Sequence, residues 1–222
     1  MKLKYFIILF FYYLSYFSQN MPAGFVYLSD IDRTIQQEMR YFTNNNFIGK
    51  PIDGYAKNCL IVTLETAKKL KEVQKNLLKD SIGLKIFDGY RPQRAVNEFV
   101  QWARVYNDTL MKKQYYPNVP KNKLFKLGYI ASKSGHSRGS TVDVTLIHLK
   151  TGKELDMGSP YDFFGEESHP FYNKLTILQK TNRILLRNTM LKNGFKPLYS
   201  EWWHFTLRNE PFPNTYFNFL IE

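Results

Sequence analysis

Cysteine is almost missing from this chain of 222 residues, Cys59 being the only one, so no internal disulfide can form. It sits in Asn58-Cys59-Leu60-Ile61-Val62, where a small buried hydrophobe is a better reading than a catalytic thiol. Internal repeats, low-complexity tracts and Gly/Ser linkers are lacking too, and the length suits one main domain. No apolar run reaches the ~20 residues of a spanning helix. Nucleic-acid motifs are absent, and the lysines are scattered rather than striped. The formal charge of +12 therefore does not point to nucleic acid. A basic surface of this kind also attracts anionic lipid or an anionic cell wall.

What is present is enough for a folded core: 44% apolar and 23% charged residues, ordinary for a globular chain. The 16 tyrosines and 18 phenylalanines read as codon bias of an AT-rich genome. The first twenty residues differ from the rest. Lys2 and Lys4 precede an apolar run from Tyr5 to Phe17, followed by Ser18, Gln19 and Asn20. That run, about 13 residues, has the length of a signal-peptide core. Residues 1–20 are read as a secretory signal, with an uncleaved anchor as the alternative because no A-x-A site is visible. No cysteine follows the run, so lipoprotein attachment is not supported. The expectation is an exported protein, periplasmic or secreted, held by its core or a metal in place of disulfides.

Along the chain, residues 35–50 read as turns through Asn44-Asn45-Asn46 and Gly49-Lys50-Pro51. Leu60 to Leu78 has helical periodicity with Thr63 as N-cap and Leu64, Ala67, Leu70, Val73 and Leu77 on one face. Gly83 to Phe87 reads as a strand, Asp88-Gly89 as a turn, and Pro92 keeps Arg91 extended. A helix is expected from Gln93 to about Met111, and irregular chain over residues 112–130. Thr141 to Leu149 reads as a strand, with Val142, Val144 and Leu146 facing one way and Asp143, Thr145 and Ile147 the other. Gly152 and Gly158 mark turns. A second long helix runs from Asn173 to Lys192, ended by Asn193-Gly194, and Phe195 to Leu207 is strand-like. The fold class is α+β, an antiparallel sheet with helices packed on one side.

Three segments hold nearly all the unusual chemistry: Asp88-Gly89-Tyr90-Arg91-Pro92, the stretch from Ser134 to Asp143, and Glu201-Trp202-Trp203-His204. Two imidazoles, one carboxylate and an open position make a catalytic zinc site. His136 lies in a loop flanked by Gly135 and Gly139, entering the strand of Asp143, and His204 would supply the third ligand from a second strand. Asp143 sits in an otherwise apolar strand and needs a partner if buried; a metal would serve. Taken singly, these could equally be ordinary hydrogen-bonded residues, and His148 and His169 are given no role. Glu201 precedes His204 by three, so a bulge or bend at Trp202-Trp203 is required to bring both to one side. There Glu201 could act as a base towards metal-activated water, or simply form a salt bridge. Arg91 could steady a developing oxyanion, or be a surface arginine.

Together these segments resemble the VanX-type D-alanyl-D-alanine dipeptidases, a zinc peptidase group related to D-Ala-D-Ala carboxypeptidases and the Hedgehog signalling domain. The matching pieces are FTNNNFIGKPIDGY (Phe42 to Tyr55), DGYRPQRAV (Asp88 to Val96), SGHSRGSTVDVTL (Ser134 to Leu146), MGSPYDF (Met157 to Phe163) and EWWHFTLRNEPFPNTYFNF (Glu201 to Phe219). They span about residues 25–220. The resemblance implies a zinc D-,D-dipeptidase domain over residues 21–222. It implies one Zn2+ on His136, Asp143 and His204, Glu201 as general base and acid, and Arg91 as transition-state stabiliser. Tyr41, Ser134 and Asp162 are implied as substrate-binding, Asp162 facing the substrate ammonium. The implied partner is a small D-,D-dipeptide, with no nucleic acid and no stable membrane partner once a signal is removed; self-association is left open. Two rivals stand beside this: a carboxypeptidase or endopeptidase acting on longer wall peptides, and a non-catalytic wall-binding module that keeps zinc as a structural element.

Overall fold

The computed structural model describes residues 21–222, and the secretory signal read over residues 1–20 lies outside the described residues. Strand β1 (Phe25–Tyr27) leads into the single turn α1 (Leu28–Ile31), then β2 (Gln36–Gln37), β3 (Ile61–Thr63) and helix α2 (Leu64–Leu78). Strand β4 (Ile82–Asp88), helix α3 (Gln93–Arg104) and the short α4 (Lys112–Tyr115) follow, then β5 (Thr141–His148), α5 (Ile177–Lys192), β6 (Phe195–Pro197) and β7 (His204–Leu207). The main sheet has the order β2-β4-β5-β7-β6, and β1 pairs with β3 in a separate ribbon. Every neighbouring pair in the main sheet is antiparallel except β2 with β4. Among the described residues no helix is long and apolar enough to cross a membrane.

The expected alternation of β5 organises the molecule. Val142, Val144 and Leu146 join Leu84 and Ile86 of β4, Phe205 and Leu207 of β7, Ala67, Leu70, Val73 and Leu77 of α2, and Leu186 and Met190 of α5 in one buried cluster. Helix α2 begins as its sequence signals: the Thr63 side chain accepts from the Thr66 amide, satisfying one of the orphan donors of the first turn. A second cluster, rich in aromatics, gathers Tyr41, Phe47, Tyr90, Phe99, Trp102 and Phe219. Cys59 is half-buried against it, and burial raises its thiol pKa, which keeps the sulfur protonated and inert.

Four local expectations are corrected. Helix α3 stops at Arg104 rather than near Met111. The carbonyls of Val105 and Asp108 are taken instead by the Lys121 ammonium, at 2.8 and 2.6 Å, a tertiary contact that apolar periodicity cannot register. Helix α5 starts at Ile177 rather than Asn173, because Thr176 and Gln179 form a capping box. The stretch from Phe195 to Leu207 is two strands, β6 and β7, paired through Phe195 with Leu207 and Pro197 with Phe205. Residues 35–50 include β2, whose parallel pairing of Gln36 with Lys85 and Gln37 with Ile86 adds a short parallel edge.

Gly139 packs against the edge of the second cluster at Phe25. Its φ is +81°, and a Cβ there would lie 2.2 Å from Phe25 Cε1. Phe25 cannot easily yield, since its ring packs edge-on against Tyr90, Phe217 and Phe219 and stacks on Phe212. Gly139→Ala combines left-handed backbone strain with overpacking and is expected to cost roughly 2–5 kcal/mol of unfolding free energy. Urea titration reads this directly; a loss below about 0.5 kcal/mol would mean that Phe25 gives way and the contact constrains nothing.

Candidate functional site

The site begins with a bulge. On β4 and β5, Ile86 pairs with Val144, but the next paired residues are Asp88 and Asp143, leaving Phe87 as the extra residue. Without that insertion Asp88 would follow the parity of Ile86 into the apolar core. With it, Asp88 shares a face with Asp143, because directly paired residues of an antiparallel ladder point the same way. On the other side of β5, Asp143 pairs with His204 of β7. Three polar side chains therefore lie in a row across three strands, all on the face opposite Val142 and Val144.

His136 arrives from above this row. It sits in a 3-10 turn, Gly135–Arg138, capped by the Ser134 side chain and closed by Gly139 in the left-handed conformation. Its Nδ1 lies 2.8 Å from the carbonyl oxygen of Gly89. A carbonyl can only accept, so Nδ1 carries the hydrogen and Nε2 presents its lone pair inward. Burial holds the His136 pKa below its usual value despite Asp143, so the ring is neutral as a ligand requires.

The three atoms that converge are His136 Nε2, His204 Nδ1 and Asp143 Oδ1. They are separated by 3.3 Å between the imidazoles, 3.3 Å from His136 to Asp143 and 3.1 Å from His204 to Asp143. Tetrahedral ligation at ~2.0–2.1 Å places neighbouring ligand atoms roughly 3.3 Å apart, so the spacing fits zinc with no rearrangement. Among the described residues Asp143 Oδ1 is moreover fully buried and without a hydrogen-bond donor, an orphaned acceptor that a cation would satisfy. Burial works against the Asp143 carboxylate, yet its pKa is held far below the usual range, and Asp143 in turn raises the His204 pKa against burial. These residues could hold a divalent metal, and their donor set suits zinc.

Glu201 stands beside this cluster. Trp202 and Trp203 form a turn instead of a bulge within a strand, and the His204 amide reaches back to the Glu201 carbonyl at 3.4 Å. The predicted bend is real, and it brings Glu201 Oε2 to 3.5 Å from His204 Nδ1. Burial raises the Glu201 pKa, opposed by His204 and assisted by Asp143. Arg91 lies on the opposite flank. Its Nε and Nη2 each lie 2.8 Å from Asp88 Oδ2, Nη2 is 3.5 Å from Asp143 Oδ2, and the guanidinium sits over the Tyr41 ring at 4.9 Å. It is no surface arginine.

Of the other predicted residues, Tyr41 and Asp162 are joined by a 2.8 Å hydrogen bond from the phenol to Asp162 Oδ2. Asp162 has φ +60°, in the left-handed region, which is uncommon outside glycine though aspartate enters it more readily than most residues. Ser134 is half-buried, and its Oγ accepts from the His136 amide at 3.3 Å, so it shapes the turn that carries His136. Three residues with no assigned role belong to the same network. Asp88 grips Arg91 and accepts from Tyr55 Oη at 2.7 Å. Tyr161 Oη lies 3.1 Å from Asp143 Oδ2 and 3.2 Å from Tyr41 Oη, linking Asp143 to the Asp162 end of the site. The one sequence signal for Asp88 was its place three residues before Arg91; Tyr161 carried none of its own.

A family model described as D-ala-D-ala dipeptidase matches residues 21–222. The D-alanyl-D-alanine dipeptidase of Enterococcus faecium is 43% identical over 202 residues, which is 91% of this chain and 100% of that protein. The D-alanyl-D-alanine dipeptidase of Streptomyces coelicolor is 40% identical over 201 residues, 90% of this chain and 100% of that protein. Among solved structures, the vancomycin-resistance D,D-pentapeptidase VanY in complex with Zn(II) superposes with a TM-score of 0.41 and 12% identity, covering 71% of this chain and 78% of its own. That superposition is too loose to transfer any residue.

Proposed function

This chain belongs to the D-alanyl-D-alanine dipeptidase family of peptidases, and we propose that it hydrolyses D-alanyl-D-alanine to two D-alanines with one zinc held by His136, Asp143 and His204. The observation that carries the reading is the convergence of three lone-pair donors at 3.1–3.3 Å with a further carboxylate, Glu201, close by but outside the set. A purely structural zinc closes its fourth position with a protein ligand; here the fourth neighbour is a group suited to moving protons. Zinc in such a site supplies Lewis acidity towards a carbonyl and lowers the pKa of water.

The chain's own residues account for the remaining steps. Glu201 takes a proton from the attacking water and returns it to the leaving amine, a task helped by a pKa that burial has raised. Arg91 balances the negative charge that develops on the carbonyl oxygen. Asp88 occupies one edge of its guanidinium through Nε and Nη2, which leaves the other edge for the substrate. Asp162 meets the substrate ammonium. Burial, with Asp143 nearby, raises its pKa well above the carboxylate range, and an arriving ammonium favours the ionised form by replacing the lost hydration. A free amine therefore becomes part of what is recognised, which favours a dipeptide over a longer chain. Ser134 and Tyr41 complete the substrate pocket. Export through the signal at residues 1–20 is part of this reading, supported by Lys2, Lys4 and the apolar run after them; N-terminal sequencing of the mature protein should find that run removed, and an intact Met1 would favour the anchor.

The direct test is hydrolysis of D-Ala-D-Ala beside L-Ala-L-Ala and an N-acylated D-Ala-D-Ala. The purified protein should release D-alanine from the first alone, and chelation should abolish it. Glu201→Gln should keep the bound metal and lose about 10²–10⁴-fold in kcat. A variant within tenfold of the natural enzyme would reduce Glu201 to a charge partner of His204. Faster cleavage of the acylated peptide would point to a peptidase of longer wall chains.

A further inference from the structure

Among the described residues, Arg183 is a buried cation without a carboxylate partner. It lies on α5, 3% exposed, and every polar contact it makes is with neutral oxygen. Nε donates to Met157 O at 2.5 Å, Nη1 to His169 O at 2.6 Å, and Nη2 to Glu167 O at 2.8 Å and Ser159 Oγ at 3.4 Å. Burial pushes its pKa down to about 10, with only distant help from Asp156. Removing it would leave the carbonyls of Met157, Glu167 and His169 without this donor, a cost in stability, but where those carbonyls lie says more than their number.

Its partners point to another role. Met157 lies at one end of the segment 157–169, and Glu167 and His169 lie at the other. One planar fork ties both ends to a rigid helix. Between them sit Tyr161, whose hydroxyl lies 3.1 Å from Asp143 Oδ2, and Asp162, with its φ of +60° and its hydrogen bond from Tyr41. That left-handed backbone is uncommon outside glycine, though aspartate adopts it more readily than most residues. The guanidinium also lies 5.8 Å from the Trp202 ring centre. The Trp202 indole donates to Ser159 Oγ at 3.0 Å, and its amide donates to Ser168 O at 2.9 Å. The segment that carries Asp162 and the turn that carries Glu201 are thus braced through one side chain.

We propose that Arg183 is a positioning residue for the amine end of the substrate: by fixing both ends of 157–169 it sets Asp162 in the left-handed conformation in which it meets Tyr41. This rests on the dipeptidase reading for the identity of the substrate. Lysine is a poor substitute, because a single ammonium on a flexible stem cannot match a planar fork that spans three carbonyls.

Arg183→Lys and Arg183→Leu in the full chain test this by two independent readouts. Hydrogen–deuterium exchange of Arg183→Lys should be at least about tenfold faster across residues 159–168, with β4 and β5 unchanged. With D-Ala-D-Ala, KM should rise about tenfold or more while kcat stays within about threefold. Arg183→Leu, which supplies volume without donors, should behave likewise. Unchanged exchange and unchanged KM in Arg183→Lys would overturn the proposal. So would faster exchange throughout the sheet with kcat falling in proportion to folded protein, since that is a purely structural role. If the natural enzyme itself cleaves no D-Ala-D-Ala, the dipeptidase reading fails, and the exchange measurement alone decides whether Arg183 positions the segment.

Discussion

Carrying a carboxylate out of water into the interior of a sheet costs several kcal/mol unless opposite charge meets it. Asp143 is 2% exposed at the middle of a five-stranded sheet, and its surroundings are arranged around that cost. Arg91 reaches one oxygen and Tyr161 lies against the same one, while the other faces two imidazoles and no hydrogen-bond donor. Asp88, itself fully buried, holds the arginine in place. Such a cluster of buried carboxylates and imidazoles is unfavourable by itself, and a divalent cation held by His136, Asp143 and His204 would relieve it. The geometry of these three residues is thus part of the stability problem as well as of the proposed chemistry.

The scaffold meets this demand by local departures from regular structure. A single extra residue in β4 turns Asp88 away from the apolar core. A turn at Trp202-Trp203 brings Glu201 to the same side as His204. A glycine in the left-handed conformation closes the turn that presents His136, and its lack of a side chain admits the Phe25 ring. Each departure is supported from outside by packing: α2 and α5 beneath the sheet, the aromatic cluster beside it, and the Arg183 brace behind the segment of Asp162. Rigid elements hold the ligands, and irregular backbone aims them, as a site that needs sub-ångström placement requires.

Much of this was legible in the sequence, for a physical reason. His136, Asp143, His204, Glu201 and Arg91 lie in short segments where glycine, proline or strict alternation limits the backbone, so local rules already aim them. The alternation of β5 separated Val142 and Val144 from Asp143, and the spacing of Glu201 and His204 demanded the bend that exists. The roles of Asp88 and Tyr161 were not legible, because they depend on cross-strand register and on a bulge that no local pattern announces. The early end of α3 was hidden likewise, since it depends on Lys121 reaching back from a loop to the carbonyls of Val105 and Asp108. Arg183 carries no local signal in the sequence; only the fold reveals that it points inward.

The central claim is that two imidazoles and one carboxylate, already spaced for tetrahedral ligation, hold a single zinc with a fourth position left to a light atom. X-ray absorption at the zinc edge of the purified, zinc-loaded protein tests it most directly. The account predicts four nitrogen or oxygen neighbours at ~2.0–2.2 Å, the outer-shell scattering of two imidazoles, and no sulfur near ~2.3 Å. A sulfur neighbour, which could come only from Cys59 or a methionine, would contradict it. So would scattering from fewer than two imidazoles.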